Sequence, residues 1–168
     1  VALTMQLIFV ESPTFRVQTS FWKHRQRAPT NGLARFYFII FLTNENTMTT
    51  ANAVIDCARQ LLGVRFVHQG RTRDGLDCLG LLLWVAEELG LRFEEKSAAA
   101  IDVPQYGARP DVTLLKEKLD RYLNGVPRHQ VQPADIVLLK INGWPQHLAV
   151  LSDYPLEGEL GMIHAYAP

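Results

Sequence analysis

GLDCLGLLLWVAEELG (residues 75–90) places an acidic side chain and a cysteine at the mouth of a nearly all-apolar segment. Leu79, Leu82, Leu83 and Ala86 recur at helical spacing, and Leu81, Trp84, Val85 and Leu89 make most of the remainder apolar. The segment is therefore expected to be a central, buried helix, with Glu87 and Glu88 as wet exceptions and Gly90 as its stop. Cys78 falls in the first turn, where free N–H groups carry partial positive charge and favour the thiolate, the form that is both nucleophile and metal ligand. A cysteine that only packs would sit as well at Leu82 or Leu83. Position alone makes Cys78 a candidate for chemistry and leaves packing, metal binding and nucleophilic attack open.

Upstream, MTTANAVIDCARQLLG (48–63) reads as a domain start. Thr50 or Asn52 caps a helix in which Val54, Ala58, Leu61 and Leu62 recur at helical spacing, and Gly63 stops it. Cys57 lies inside that helix as a small buried hydrophobe. Residues 64–76, rich in Gly and Arg, have the composition of a loop. Downstream, DVTLLKEKLDRYLNG (111–125) is an amphipathic helix capped by Asp111, with Leu115, Leu119, Tyr122 and Leu123 inward, charges outward and Gly125 as terminator. The last third switches to strand chemistry. DIVLLKI (135–141), HLAVLSD (147–153) and GMIHAY (161–166), with Asn142-Gly143 between the first two, have the pattern of an antiparallel meander. Helices first and strands later predict an α+β fold with helices packed on one side of an antiparallel β-sheet.

The 168 residues carry no formal net charge, which argues against nucleic acid as the partner. Two cysteines, Cys57 and Cys78, are too few for a disulfide scaffold, and both are read as reduced. The apolar run Phe36–Leu42 is far shorter than the roughly 20 residues a spanning helix needs, so no stable membrane insertion is expected. Residues 1–47 hold no Asp and half of the chain's aromatics. They are expected to be an upstream extension from a wrongly assigned start, contributing nothing to the active fold.

His147 alternates with Ala149 and Leu151 at the start of one strand, while His164 lies mid-strand on a face with Met162 and Tyr166. A lone strand histidine is ordinarily structural. Two histidines on neighbouring strands, downstream of a helix-mouth cysteine, make a constellation of nucleophile, base and orienting group.

GVRFVHQGRTRDGLDCLGLLLWVAEELG (63–90), PADIVLLKINGWPQHLAVLSD (133–153) and MIHAYAP (162–168), in that order, resemble the NlpC/P60 cysteine peptidases, and among them the short phage-tail-associated type. The resemblance covers Met48 to the end and implies a papain-like NlpC/P60 fold for residues 48–168, truncated at the C-terminus because only three sheet strands can be read before Pro168. It implies hydrolysis of amide bonds in peptidoglycan stem peptides, with phage tail-tip proteins as partners and no cofactor. Synthesis in the bacterial cytoplasm and action in the virion tail or at the cell wall or periplasm go with it. Carried over, Cys78 is the nucleophile, His147 the general base and His164 the group that orients it. Asp77 matches a position that holds the substrate's amine, and capping the helix is its structural alternative. Asp135 matches a structural aspartate at the first sheet strand.

Two positions depart from the family. Many relatives place a tyrosine twelve residues before the cysteine, where its hydroxyl supplies the second oxyanion donor; here that residue is Phe66, and His68 is the candidate substitute. Leu79 stands where many relatives have serine. Phe66 favours an alternative function, a catalytically weak structural module of a tail tip. Zinc bound by Cys78, His147 and His164, and acyl transfer by the same triad, are further alternatives.

Overall fold

The structure, a computed structural model, describes residues 4–6, 11–12, 38–40, 50–107, 111–127, 130–141, 144–153 and 161–166. The Asn142-Gly143 turn and most of residues 1–47, including the ends of the Phe36–Leu42 run, lie outside the described residues. In the amino-terminal segment the described pieces are β1 (Thr4–Gln6), β2 (Glu11–Ser12) and β3 (Phe38–Ile40), with β1 and β3 paired antiparallel.

Helix α1 (Ala51–Arg59) begins where a β-region Thr50 turns its hydroxyl back to accept from the Ala53 N–H at 3.1 Å. Its Val54, Ile55 and Ala58 are buried together with Cys57. Gly63, at φ +86, reverses the chain after it. Two short hairpin strands, β4 (Arg71–Thr72) and β5 (Gly75–Leu76), then lead into α2 (Cys78–Glu88), and Gly90 at φ +63 ends that helix region. The 64–76 stretch is thus an ordered hairpin where composition suggested a loop; Val67 N–H donates to the Leu76 carbonyl at 3.0 Å.

The buried face of α2 is not the one its spacing suggested. Gly80, Leu81, Val85 and Ala86 enter the core, while Leu79, Leu82 and Leu83 are only partly buried. In a helix apolar all round, hydrophobic spacing cannot choose the face. The partly buried leucines line a cavity of about 160 Å³, walled opposite by the last helix.

Strands β6 (Arg92–Phe93) and β7 (Lys96–Ser97) form a second hairpin, and Ser97 caps a short helix α3 (Ala98–Ile101). Helix α4 (Val112–Tyr122) starts as expected: the Asp111 carboxylate accepts from Thr113 N–H at 2.8 Å and Leu114 N–H at 3.1 Å. It ends earlier than Gly125 suggested, because Leu123 turns extended at φ −128 and drops into the core.

The main sheet has the order β10–β9–β8–β2, with β8 (Ile136–Ile141), β9 (Trp144–Ser152) and β10 (Gly161–Ile163) antiparallel and β2 added in parallel on β8. Ile136, Leu138, Leu148, Val150 and Ile163 face the helices; Val137, Leu139, Ala149 and Leu151 form a second apolar layer on the other side. Ile55, Leu76, Ile136 and Leu148 are almost wholly buried, each contributing about 1.5–3 kcal/mol. The α+β expectation, helices on an antiparallel sheet, agrees with this arrangement. Among the described residues no helix is long and apolar enough to cross a membrane.

Candidate active site

Cys78 is the first residue of α2, and Asp77 before it is the cap. The mouth of the helix abuts β9: the N–H groups of Leu148, Leu79 and Cys78 itself point at the thiol. Those donors favour a thiolate, as the helix-mouth position suggested. Burial outweighs them, with the Asp77 carboxylate adding to it, and the thiol is pushed up to about 11. Burial thus holds the Cys78 thiol protonated against the pull of the helix-mouth N–H groups.

His147 is the residue before Leu148, whose N–H points at the thiol, and it pairs with Leu139 across the sheet. It does not open its strand; β9 begins at Trp144. The next pair is Lys140 with Pro145, which leaves Gln146 as an extra residue on β9. Such a bulge re-aims neighbouring side chains and tolerates a proline that has no N–H to give. His147 is buried and held down to about 3, first by burial and then by the neighbouring His164. It is a neutral imidazole in the resting protein.

His164 sits one residue beyond β10 rather than mid-strand. Its Nδ1 lies 2.9 Å from His147 Nε2, and the two rings meet edge to face at 5.1 Å. Tyr166 packs on His147 from the same side, ring centroids 5.2 Å apart. Burial lowers the pKa of His164 as well. Its Nε2 is buried with no partner among the described residues.

Asp77, expected to hold a substrate amine or to cap the helix, does the second. Only 2% exposed, it accepts from Gly80 N–H at 2.8 Å, Gln69 N–H at 2.7 Å, Arg71 Nη1 at 3.0 Å and the Tyr106 hydroxyl. Arg71 in turn forks Asp102, Nε to Oδ2 at 2.9 Å and Nη2 to Oδ1 at 3.0 Å. Burial would lower that guanidinium, but Asp102, Tyr106 and Asp77 together hold it above its ordinary value. Burial, then the bond to Asp77, keeps the Tyr106 phenol protonated well above its usual range.

His68 is exposed, and its Nε2 meets the Tyr106 carbonyl at 3.1 Å. A carbonyl only accepts, so Nε2 donates its proton there and is not free for an oxyanion. Phe66 is partly buried and bridged to Leu76. Asp135, wholly buried before β8, accepts from the Gln132 N–H, in keeping with a structural part.

The cluster of Arg71, Asp102 and Tyr106 was not visible as a site in the sequence. The three lie in two stretches that read as connections, and no local spacing ties them to Asp77.

Among the described residues no group of three His, Cys, Asp or Glu side chains is arranged to hold a metal ion. No curated protein and no solved structure matches the chain. Residues 63–167, more than half of the chain, match the NlpC/P60 family, whose members are typically cysteine peptidases or amidases acting on peptidoglycan. Cysteine-bearing helix, histidine-bearing strands and sequence match all fall within that span, and the chain belongs to the NlpC/P60 family.

Proposed function

We propose that the protein is a cysteine endopeptidase with a papain-like arrangement that hydrolyses amide bonds in peptidoglycan stem peptides, with residues 48–168 as the catalytic unit and residues 1–47 as an extension. In this reading it is a component of a phage or phage-like tail, made in the bacterial cytoplasm and acting at the cell wall beside tail-tip proteins. The observation that carries the catalytic part is the His147–His164 contact at 2.9 Å, in a chain whose Cys78 opens helix α2.

The chemistry follows from the tautomers. With Nε2–H of His147 donating to His164 Nδ1, Nδ1 of His147 is the free base. The resting pair is neutral, so proton transfer from thiol to imidazole accompanies attack on the scissile carbonyl. The sulfur–carbon bond forms, and the Cys78 N–H holds the developing oxyanion. As the carbon–nitrogen bond breaks, His147 protonates the leaving amine. Water, deprotonated by the same nitrogen, then releases the acid and restores the thiol.

Purified protein incubated with peptidoglycan, followed by mass spectrometry of released peptides, tests the proposal. Fragments cut within the stem peptide, absent with Cys78→Ala, are expected. No release from intact peptidoglycan or isolated stem peptides would overturn it in favour of a weakly catalytic tail-tip module, the reading that Phe66 favours.

A further inference from the structure

An acyl-transfer site needs a second oxyanion donor besides the nucleophile's own N–H. In this chain Phe66 has no hydroxyl, and the His68 ring is engaged on the Tyr106 carbonyl. Gln146 lines the cavity with Cys78, but its Nε2 is tied to the Ile141 carbonyl at 3.1 Å. Tyr106 lines the same cavity, and its hydroxyl donates to the carboxylate of Asp77, the residue before Cys78. We propose that Tyr106 is a catalytic residue, its hydroxyl turning from Asp77 to the oxyanion as the tetrahedral intermediate forms. The proposal rests on Cys78 being the nucleophile.

Asp77 can release this one donor. Backbone N–H groups of Gln69 and Gly80 and the guanidinium of Arg71 remain on it, and these are fixed by the backbone and by the Asp102 fork. Of the four donors, the Tyr106 hydroxyl alone belongs to a side chain that borders the cavity and turns about a single bond. The rest of Tyr106 is held in place. Its carbonyl accepts from Gln69 Nε2 at 2.6 Å, and its ring meets the His68 ring edge to face at 5.3 Å. The phenol is kept protonated by burial, as a donor must be. Exchange therefore asks for a torsion of the hydroxyl and small adjustment of the ring, not a loop rearrangement.

Tyr106→Phe removes the hydroxyl and keeps the ring. Turnover of a stem-peptide substrate should fall about 10- to 100-fold with KM little changed. Affinity for a peptide aldehyde, whose adduct places an oxygen at the oxyanion position, should fall by a similar factor. Alkylation of Cys78 by iodoacetamide, which forms no oxyanion, should stay within about twofold of the parent. A parallel loss in alkylation and aldehyde binding would assign Tyr106 a purely structural role and overturn the proposal, as would unchanged turnover. If the variant does not fold, the unmodified chain decides through ¹³Cζ-tyrosine NMR, the resonance being assigned by replacing the other four of its five tyrosines. The Tyr106 signal should move when the aldehyde adduct forms; a fixed signal overturns the proposal. A parent that neither hydrolyses peptides nor binds the aldehyde would instead refute the peptidase reading itself.

Discussion

His147 Nε2, inside β9, and His164 Nδ1, just past β10, stand 2.9 Å apart. In the proposed mechanism, this contact leaves one ring nitrogen of His147 for the thiol and gives the imidazolium an acceptor for its second proton. The rings reach this geometry because β9 and β10 pair antiparallel with Ile163 opposite Val150, which sets the two histidines on one face of the sheet two residues apart in register.

Replacing the two histidines should separate base from orienter. His147→Ala should lower kcat/KM by about 10³-fold or more, and His164→Ala by about 10-fold to 100-fold, because a mispositioned base still works part of the time. Steady-state kinetics on a stem peptide measures both. Equal losses would argue against distinct roles.

The two cysteines should part in the same way. Cys78→Ala is expected to abolish hydrolysis with little change in melting temperature. Cys57→Ala, at a site 5% exposed in the core, should keep activity and lose about 1 kcal/mol of stability. Activity and thermal unfolding measured on the same samples check the pair.

Stability should fall on both sides of a neutral plateau. Between about pH 3 and 6.5 the unfolded chain binds a proton at His147 that the folded protein excludes, so stability is complete above 6.5 and is lost as pH falls toward 3. His164, also lowered by burial, adds in the same direction. Between 9.0 and about 11 the folded protein keeps the Cys78 thiol protonated where the unfolded chain loses it, so stability falls as pH rises. Each group contributes a slope of about 1.4 kcal/mol per pH unit within its window. Urea melts across pH should show this plateau, and His147→Gln should flatten the acid side.

Gly80→Ala should be among the most damaging single-methyl changes. A Cβ there would stand 2.0 Å from the Gly70 carbonyl oxygen, which is backbone and cannot turn aside. Separating α2 from its hairpin would disturb the Asp77 cap at the same time. A loss of about 3 kcal/mol, read by denaturant unfolding, is expected.

Much of the scaffold was legible because its signals are local. Thr50 and Asp111 cap helices through bonds to residues two or three positions on, and Gly63 and Gly90 take the positive φ that helix stops need. The meander was legible from period-two alternation, which put Leu148 and Ala149 on opposite faces, as found. The 92–97 hairpin was not, since its turn is made by Glu94 and Glu95 at φ 50 and 65 instead of by Asn or Gly. The buried face of α2 was set by what packs on it. The site divided along the same line: Cys78, His147 and His164 carried family-like spacing, whereas Tyr106 and Arg71 meet Asp77 across 29 and 6 residues with no periodic pattern. The resting charge state of Cys78 depends on burial, which helix position does not encode.

Strand β10 is only three residues long, and His164 lies just past it, held by its neighbour's ring and not by the ladder. Local opening takes least energy where few hydrogen bonds must break. On warming, catalysis should therefore switch off reversibly while the body of the sheet is still intact, so that the temperature of half-inactivation lies below that of unfolding. Amide exchange would show it as early loss of protection at 161–166 while Ile136–Leu139 stay closed.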